Sequence, residues 1–310
     1  MTDASASMHA PSPSAAAGPA SGGAGASRFK GAGNYLALIP FHAYVGLFLV
    51  LPTLIVTIGA FSTLDGQFTL GNVQAMFTTD AFIASFIKSL QLALITALLG
   101  AGFGGLLAWA VLRGDPNGVL RQLVISACGV LAQFGGVMLA FAFLATFGFN
   151  GLITMLIKSS LGINGLDMSW LYSMTGLAVV YTYFQIPLML IVFLPSLDGL
   201  RQEWYDASAS LGGGAWAFWR HVGGPILAPS FLGALLLLFT NAFSAYATVQ
   251  ALISQGCVLI TQQIACQMQS EVVLGQANVG KALALGMIVI VSAVMAIYAL
   301  IQRRASRWVK

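Results

Sequence analysis

The chain has 310 residues, with 13 lysines and arginines against 9 acidic residues, a formal net charge of +4. Charged residues make up 7% and hydrophobic residues 58%, where a soluble domain carries about 25% charged residues. So few charges cannot cover a water-facing surface, so the solvent is membrane lipid and the class is all-α integral membrane; the absence of a basic face excludes a nucleic-acid partner.

The chain begins with "MTDASASMHAPSPSAAAGPASGGAGAS", an Ala/Ser/Gly/Pro stretch without the apolar core of a cleaved signal peptide. Residues 1–33 read as a disordered cytoplasmic tail. Residues 34–303 form a six-span domain, and 304–310 a basic cytoplasmic end. A crossing takes roughly 20 apolar residues of helix, and six segments qualify: about 35–61, 86–112, 122–147, 170–195, 229–250 and 281–302. They are too long and too uniformly apolar for barrel strands. Arg28, Lys30, Arg113, Arg121, Arg201, Arg220, Arg303, Arg304, Arg307 and Lys310 fall on one side, and only Lys88, Lys158 and Lys281 on the other. The positive-inside bias then puts both termini in the cytoplasm. Trp170 and Tyr172 suit an interfacial anchor at the outer start of the fourth span. The connection around 148–169 holds an apolar piece too short to cross, interfacial or re-entrant.

Two motifs mislead. "GQANVGKA" (275–282) has the skeleton of a phosphate-binding loop, but Ala282 replaces the magnesium-binding hydroxyl and a span follows instead of a strand-fed helix. "GAGFGG" (100–105) matches a dinucleotide fingerprint yet lies mid-span, where small residues let helices approach closely. No His/Cys/Asp cluster has metal-ligand spacing. All the acidic residues lie outside the apolar cores, so the buried ionisable group that ion-coupled transporters need is missing. An ion-coupled secondary transporter or channel is the alternative reading, and a membrane enzyme would require a polar catalytic cluster that the sequence lacks. Cys257 and Cys266 share one polar loop and are able to pair if it faces an oxidising compartment.

Between the fourth and fifth spans, residues 199–228 are too polar to lie in lipid and too patterned for a linker. "RQEWYDASAS" predicts a short helix, with Asp198 as its N-cap and Glu203 in its first turn. "LGGG" stops it. "AWAFWRHV" predicts a second helix closed by "GGP". Trp204, Tyr205, Leu211, Trp216, Phe218 and Trp219 put a large apolar surface on this loop. Such a surface serves either a partner's groove or packing on its own membrane domain.

The stretch resembles the EAA loop of permease subunits of binding-protein-dependent ABC importers. That pattern reads Glu-Ala-Ala, two residues, Leu-Gly, then an apolar run to Pro. Here it appears as Asp206-Ala207-Ser208, then Leu211-Gly212, then Trp219, Val222 and Pro225. Asp replaces Glu, Ser208 replaces Ala, and Gly213 and Gly224 depart from the pattern. The resemblance implies a type I importer-like permease whose cytoplasmic coupling helices dock in a cleft of the ATPase. Glu203, Asp206, Ala207, Leu211, Gly212, Trp216, Trp219 and Pro225 would be the coupling residues. It further implies two ATPase subunits holding ATP and magnesium, a second permease subunit of a different sequence, and an extracytoplasmic substrate-binding protein. No cofactor belongs to this chain, and it is not an enzyme.

A solute path would use the few polar residues within spans: Tyr183 and Gln185 in the fourth, Thr240, Asn241, Ser244 and Tyr246 in the fifth. Hydrogen bonding between helices is the equal alternative for each. "NAFSAYATVQALIS" and "GKALALGMIVI" resemble the spermidine/putrescine-type branch, implying a polyamine; phosphonates and other small charged solutes are further candidates within that branch.

Overall fold

A computed structural model describes residues 39–305 except 64, 116, 162–167, 254–255 and 270–276. The tail expected at 1–33 and the end of the basic C-terminus (306–310) lie outside the described residues. All the described secondary structure is helical apart from one isolated bridge between Ser62 and Phe68.

The helices in chain order are α1 (Ile39–Ala60), α2 (Gly71–Thr78), α3 (Asp80–Leu112), α4 (Val119–Gln133), α5 (Gly136–Phe147), α6 (Leu152–Leu161) and α7 (Met174–Asp198). There follow α8 (Gln202–Ser210), α9 (Ala215–Ser244), α10 (Ala247–Leu252), α11 (Ile260–Gln269) and α12 (Ala277–Ala305). Six stretches are long and apolar enough to cross a membrane: Ile39–Ala60, Asp80–Leu112, Gly136–Ser160, Met174–Asp198, Ala215–Ser244 and Ala277–Leu300. The chain divides into Met1–Thr53 and Leu54–Lys310. The first contributes the start of α1, with a π-turn at Gly46–Val50; the packing below is that of the second.

The centre of the second unit is the α3–α7 pair, and α9 lies against both. Their close approach comes from glycine. A Cβ on Gly100 would stand 2.6 Å from the Gln185 Cβ, and one on Gly104 would stand 2.5 Å from the Met189 Cβ and 2.7 Å from the Ile186 carbonyl oxygen. The "GAGFGG" stretch is therefore a packing face of α3. Leu177, Tyr181, Met189, Leu190, Leu238 and Phe243 are fully buried around it. The phosphate-loop skeleton is likewise disarmed, because Asn278, Gly280 and Lys281 sit inside α12. There Lys281 Nζ donates to Asn278 Oδ1 (2.9 Å) and Asn278 Nδ2 to the Ser62 carbonyl (2.8 Å).

Two expected spans are broken. The segment at 122–147 is two helices, α4 and α5, parted at Phe134–Gly135, and Gly136 takes φ +67°, a left-handed value that glycine alone adopts without strain. The segment at 229–250 breaks at Ala245 (ψ 118°) before α10. The breaks are satisfied by side chains: Thr248 Oγ1 donates to the Gly136 carbonyl (3.3 Å), and Tyr181 Oη to the Ala245 carbonyl (3.1 Å). Apolar periodicity cannot register either break, because both flanks remain apolar. The short apolar piece expected after the third span is α6, which falls within the stretch Gly136–Ser160, so the third stretch able to cross lies later than the expected 122–147. Trp170 and Tyr172 lie in a 3₁₀ turn (Met168–Tyr172), where Tyr172 stacks on Phe149. Cys257 and Cys266 are joined as a disulfide, their Cα atoms 6.6 Å apart.

Candidate functional site

The loop between α7 and α9 folds as a helix–turn–helix. Gln202–Ser210 forms α8, with Glu203 in the first turn, where a carboxylate favours the positive end of the helix. Arg201, not Asp198, precedes the helix as its extended capping residue. Asp198 is instead the last residue of α7, and its carboxylate pairs with Arg121. At the far end, Gly212 N–H donates to the Ala209 carbonyl and Gly213 N–H to the Ser208 carbonyl, both at 2.9 Å. With Gly212 at φ +80°, this is a Schellman stop.

The second expected helix does not close at "GGP". Ala215–Phe218 passes through a π-turn, Trp219–Gly223, straight into the long helix. In an ordinary α-turn the Pro225 ring would clash with the carbonyl four residues earlier, and the widened turn falls just before it. Gly224 N–H bonds the Trp219 carbonyl there, and a Cβ at Gly224 would lie 2.5 Å from that oxygen. The loop is thus rigidly continuous with a spanning helix.

Tyr205 packs edge-on against Phe218 (5.3 Å between centroids), and Phe218 against Trp219 (5.7 Å). Phe218 is buried and Trp219 half-buried. Leu211 and Trp216 point outward instead, at 89% and 77% exposure. Between α8 and the start of α9 runs a groove of about 390 Å³ lined by Trp204, Ala207, Leu211 and Ala217. Glu203, Asp206, Ala207 and Pro225 are exposed. Gln202 Nε2 donates to Asp206 Oδ1 (3.3 Å) one turn away. Of the residues singled out here from sequence, Phe218 and Trp219 serve mainly to hold the hairpin together. Glu203, Asp206, Ala207, Leu211 and Trp216 share one exposed knob, and Pro225 belongs to the start of the long helix.

The polar span residues do not form one cluster. Gln185 is fully buried, and its Nε2 donates to Thr96 Oγ1 (3.0 Å), which in turn donates to the Leu92 carbonyl (2.8 Å). That is a bond between helices. Thr240 and Ser244 turn their hydroxyls to the Leu236 and Thr240 carbonyls of their own helix. Asn241 and Tyr183 are exposed, the latter against Phe143, and Tyr246 is half-buried beside the break in the fifth span. Sequence reasoning missed Thr96: a lone threonine in an apolar run carries no local mark of its distant partner. Among the described residues, no group of His, Cys, Asp and Glu is placed to hold a metal.

No family model matches the chain. By sequence it is similar to the thiamine transport system permease protein ThiP of Haemophilus influenzae, 26% identical over 221 residues, which is 69% of this chain and 39% of that protein. It is also similar to the sulfate transport system permease protein CysT of Escherichia coli, 24% identical over 66% of this chain and 70% of that protein. The chain spans well under half the length of the thiamine relative. Among solved structures it resembles a chain of a bacterial ABC transporter that imports the acidic polysaccharide alginate, with TM-score 0.68 and 15% identity over 91% of this chain and 97% of that one. The protein thus has permease proteins of transport systems as its sequence relatives and, over nearly its whole length, the fold of an ABC transporter chain.

Proposed function

We propose that this chain is a permease subunit of an ATP-driven ABC importer of the bacterial inner membrane, working as half of a pathway with a second permease of different sequence. Two ATPase subunits, which bind ATP and magnesium, dock on α8, and an extracytoplasmic binding protein delivers the solute. The observation that carries this reading is the knob: a rigid helix–turn–helix exposing Leu211 and Trp216, continuous with a spanning helix through the π-turn. An exposed apolar patch on a rigid base is what a partner's cleft selects. ATP binding then has only to favour one of two membrane arrangements by a few kcal/mol.

The likeness to permease proteins supports the transport role. The solute belongs to the class of small charged or polar molecules. Thiamine and sulfate stand in the names of the relatives, whereas polyamine rests on the sequence resemblance alone. Asn241 and Tyr183, exposed on this chain, are the wall residues we assign to the pathway. Gln185 we assign to helix packing.

Co-expression with a candidate ATPase subunit from the same genome tests the docking. The wild-type chain should co-purify with the ATPase and support ATP-dependent uptake. Gly212→Pro or Asp206→Lys should abolish both while the spans still insert. Undiminished uptake in both variants would overturn the role given to α8.

A further inference from the structure

The root of the knob has a joint of its own. Only Gly199, Leu200 and Arg201 separate the end of α7 from α8. One turn before that end stands Pro195, which lacks an N–H and leaves the Ile191 carbonyl without its helical partner. The last turn of α7 is therefore soft by construction. Leu194 and Leu197 anchor one side of this turn in the core, but its other side is open, beside a groove of about 580 Å³ lined by Ile125 of α4 and by Ile191, Pro195 and Asp198 of α7.

Arg121, in the first turn of α4, meets Asp198 at the end of α7. Its Nη2 lies 2.7 and 2.6 Å from the two carboxylate oxygens of Asp198. The Arg121 side chain is 12% exposed and that of Asp198 42%. The two residues are 77 positions apart in sequence. A second ion pair, Arg201–Glu203 at 4.0 Å, is exposed and local. With its Arg121 end largely withdrawn from water, the Arg121–Asp198 contact is screened less than the fully exposed pair.

We infer that Arg121 is a positioning residue for coupling: through Asp198 it splints the proline-softened end of α7 to α4, so that a push on α8 moves both helices. Without the splint, the same push is absorbed by bending at Pro195. This rests on the reading of α8 as the ATPase-docking helix, but the stiffness of the joint is testable without that reading.

Two measurements separate the two claims. The first uses the full chain in lipid nanodiscs, with Cys128→Ser and spin labels at Leu123→Cys and Ala209→Cys, and reads the α4–α8 distance distribution. Arg121→Ala should broaden it, and both the reversed pair (Arg121→Asp with Asp198→Arg) and Pro195→Ala in the Arg121→Ala background should narrow it again. The second reads solute taken up per ATP hydrolysed by the assembled transporter. Arg121→Ala should lower this ratio about fivefold or more, the low end of coupling between distant sites, while ATPase co-purification persists and the same two changes restore the ratio. If Arg121→Ala does not insert, Asp198→Asn removes the attraction with a smaller change and is read the same way. A distance distribution as narrow as wild type in these variants, or a loss that neither compensating change restores, overturns the inference. Failure of the wild-type complex to couple ATP to uptake would instead refute the permease reading and leave the joint to the distance measurement.

Discussion

At Gly212 one backbone angle decides where the knob turns. Its φ of +80° is open to glycine and costs other residues about 1–2 kcal/mol. Since nothing lies within 4 Å of a Cβ placed there, the cost of Gly212→Ala is conformational alone. This substitution should weaken ATPase co-purification about fivefold or more without affecting expression, a milder outcome than Gly212→Pro. Thr96 and Gln185 show the opposite case, in which the partner decides. Thr96→Val strands the buried Gln185 amide, and the melting temperature of the detergent-purified chain should fall, by about 1–2 kcal/mol in stability. Adding Gln185→Leu should recover part of that loss, because removing both partners leaves nothing unpaired. Asp198 was legible in sequence as a helix cap but acts as an ion-pair partner. Its mate is distant in sequence, so local pattern had no access to it.

At the scale of elements, small residues in α3 set the close approach of α3 and α7. Gly104→Leu would drive a side chain into Met189 and the Ile186 carbonyl, and should lower stability by about 1–3 kcal/mol. Gly102→Leu, on the exposed side of the same helix with nothing within 4 Å, should keep or raise the melting temperature, through helix propensity alone. Comparing the two variants isolates packing from helix propensity. Glycines in "GAGFGG" were readable as a helix-packing face because they occur where a span was already required. The π-turn at Trp219–Gly223 and the breaks at Gly136 and Ala245 were not. In each the chain leaves α-geometry while its composition stays apolar, and the freed carbonyls are met by Trp219-to-Gly224 bonding or by Thr248 and Tyr181 from elsewhere.

For the whole molecule, the basic residues of the connections argue that the knob faces the cytoplasm and the Cys257–Cys266 loop the outside. A membrane-impermeant thiol reagent should therefore label Ser210→Cys in inverted vesicles but not in intact cells. Cys257 and Cys266 should react in intact cells, and only after reduction. Labelling of Ser210→Cys from outside would reverse the topology and remove α8 from reach of any ATPase. The sequence by itself determined that the chain lives in lipid, that it carries six stretches able to cross it, and that an aromatic, glycine-stopped loop separates the fourth from the fifth. Each of these follows from composition or local pattern, which hydrocarbon and the helix period read one segment at a time. Tertiary structure alone decided which span helices break, that Gln185 ties α7 to α3, and that Arg121 grips the root of the knob. These depend on which distant groups meet, and burial imposes the need for a partner without writing its identity beside it.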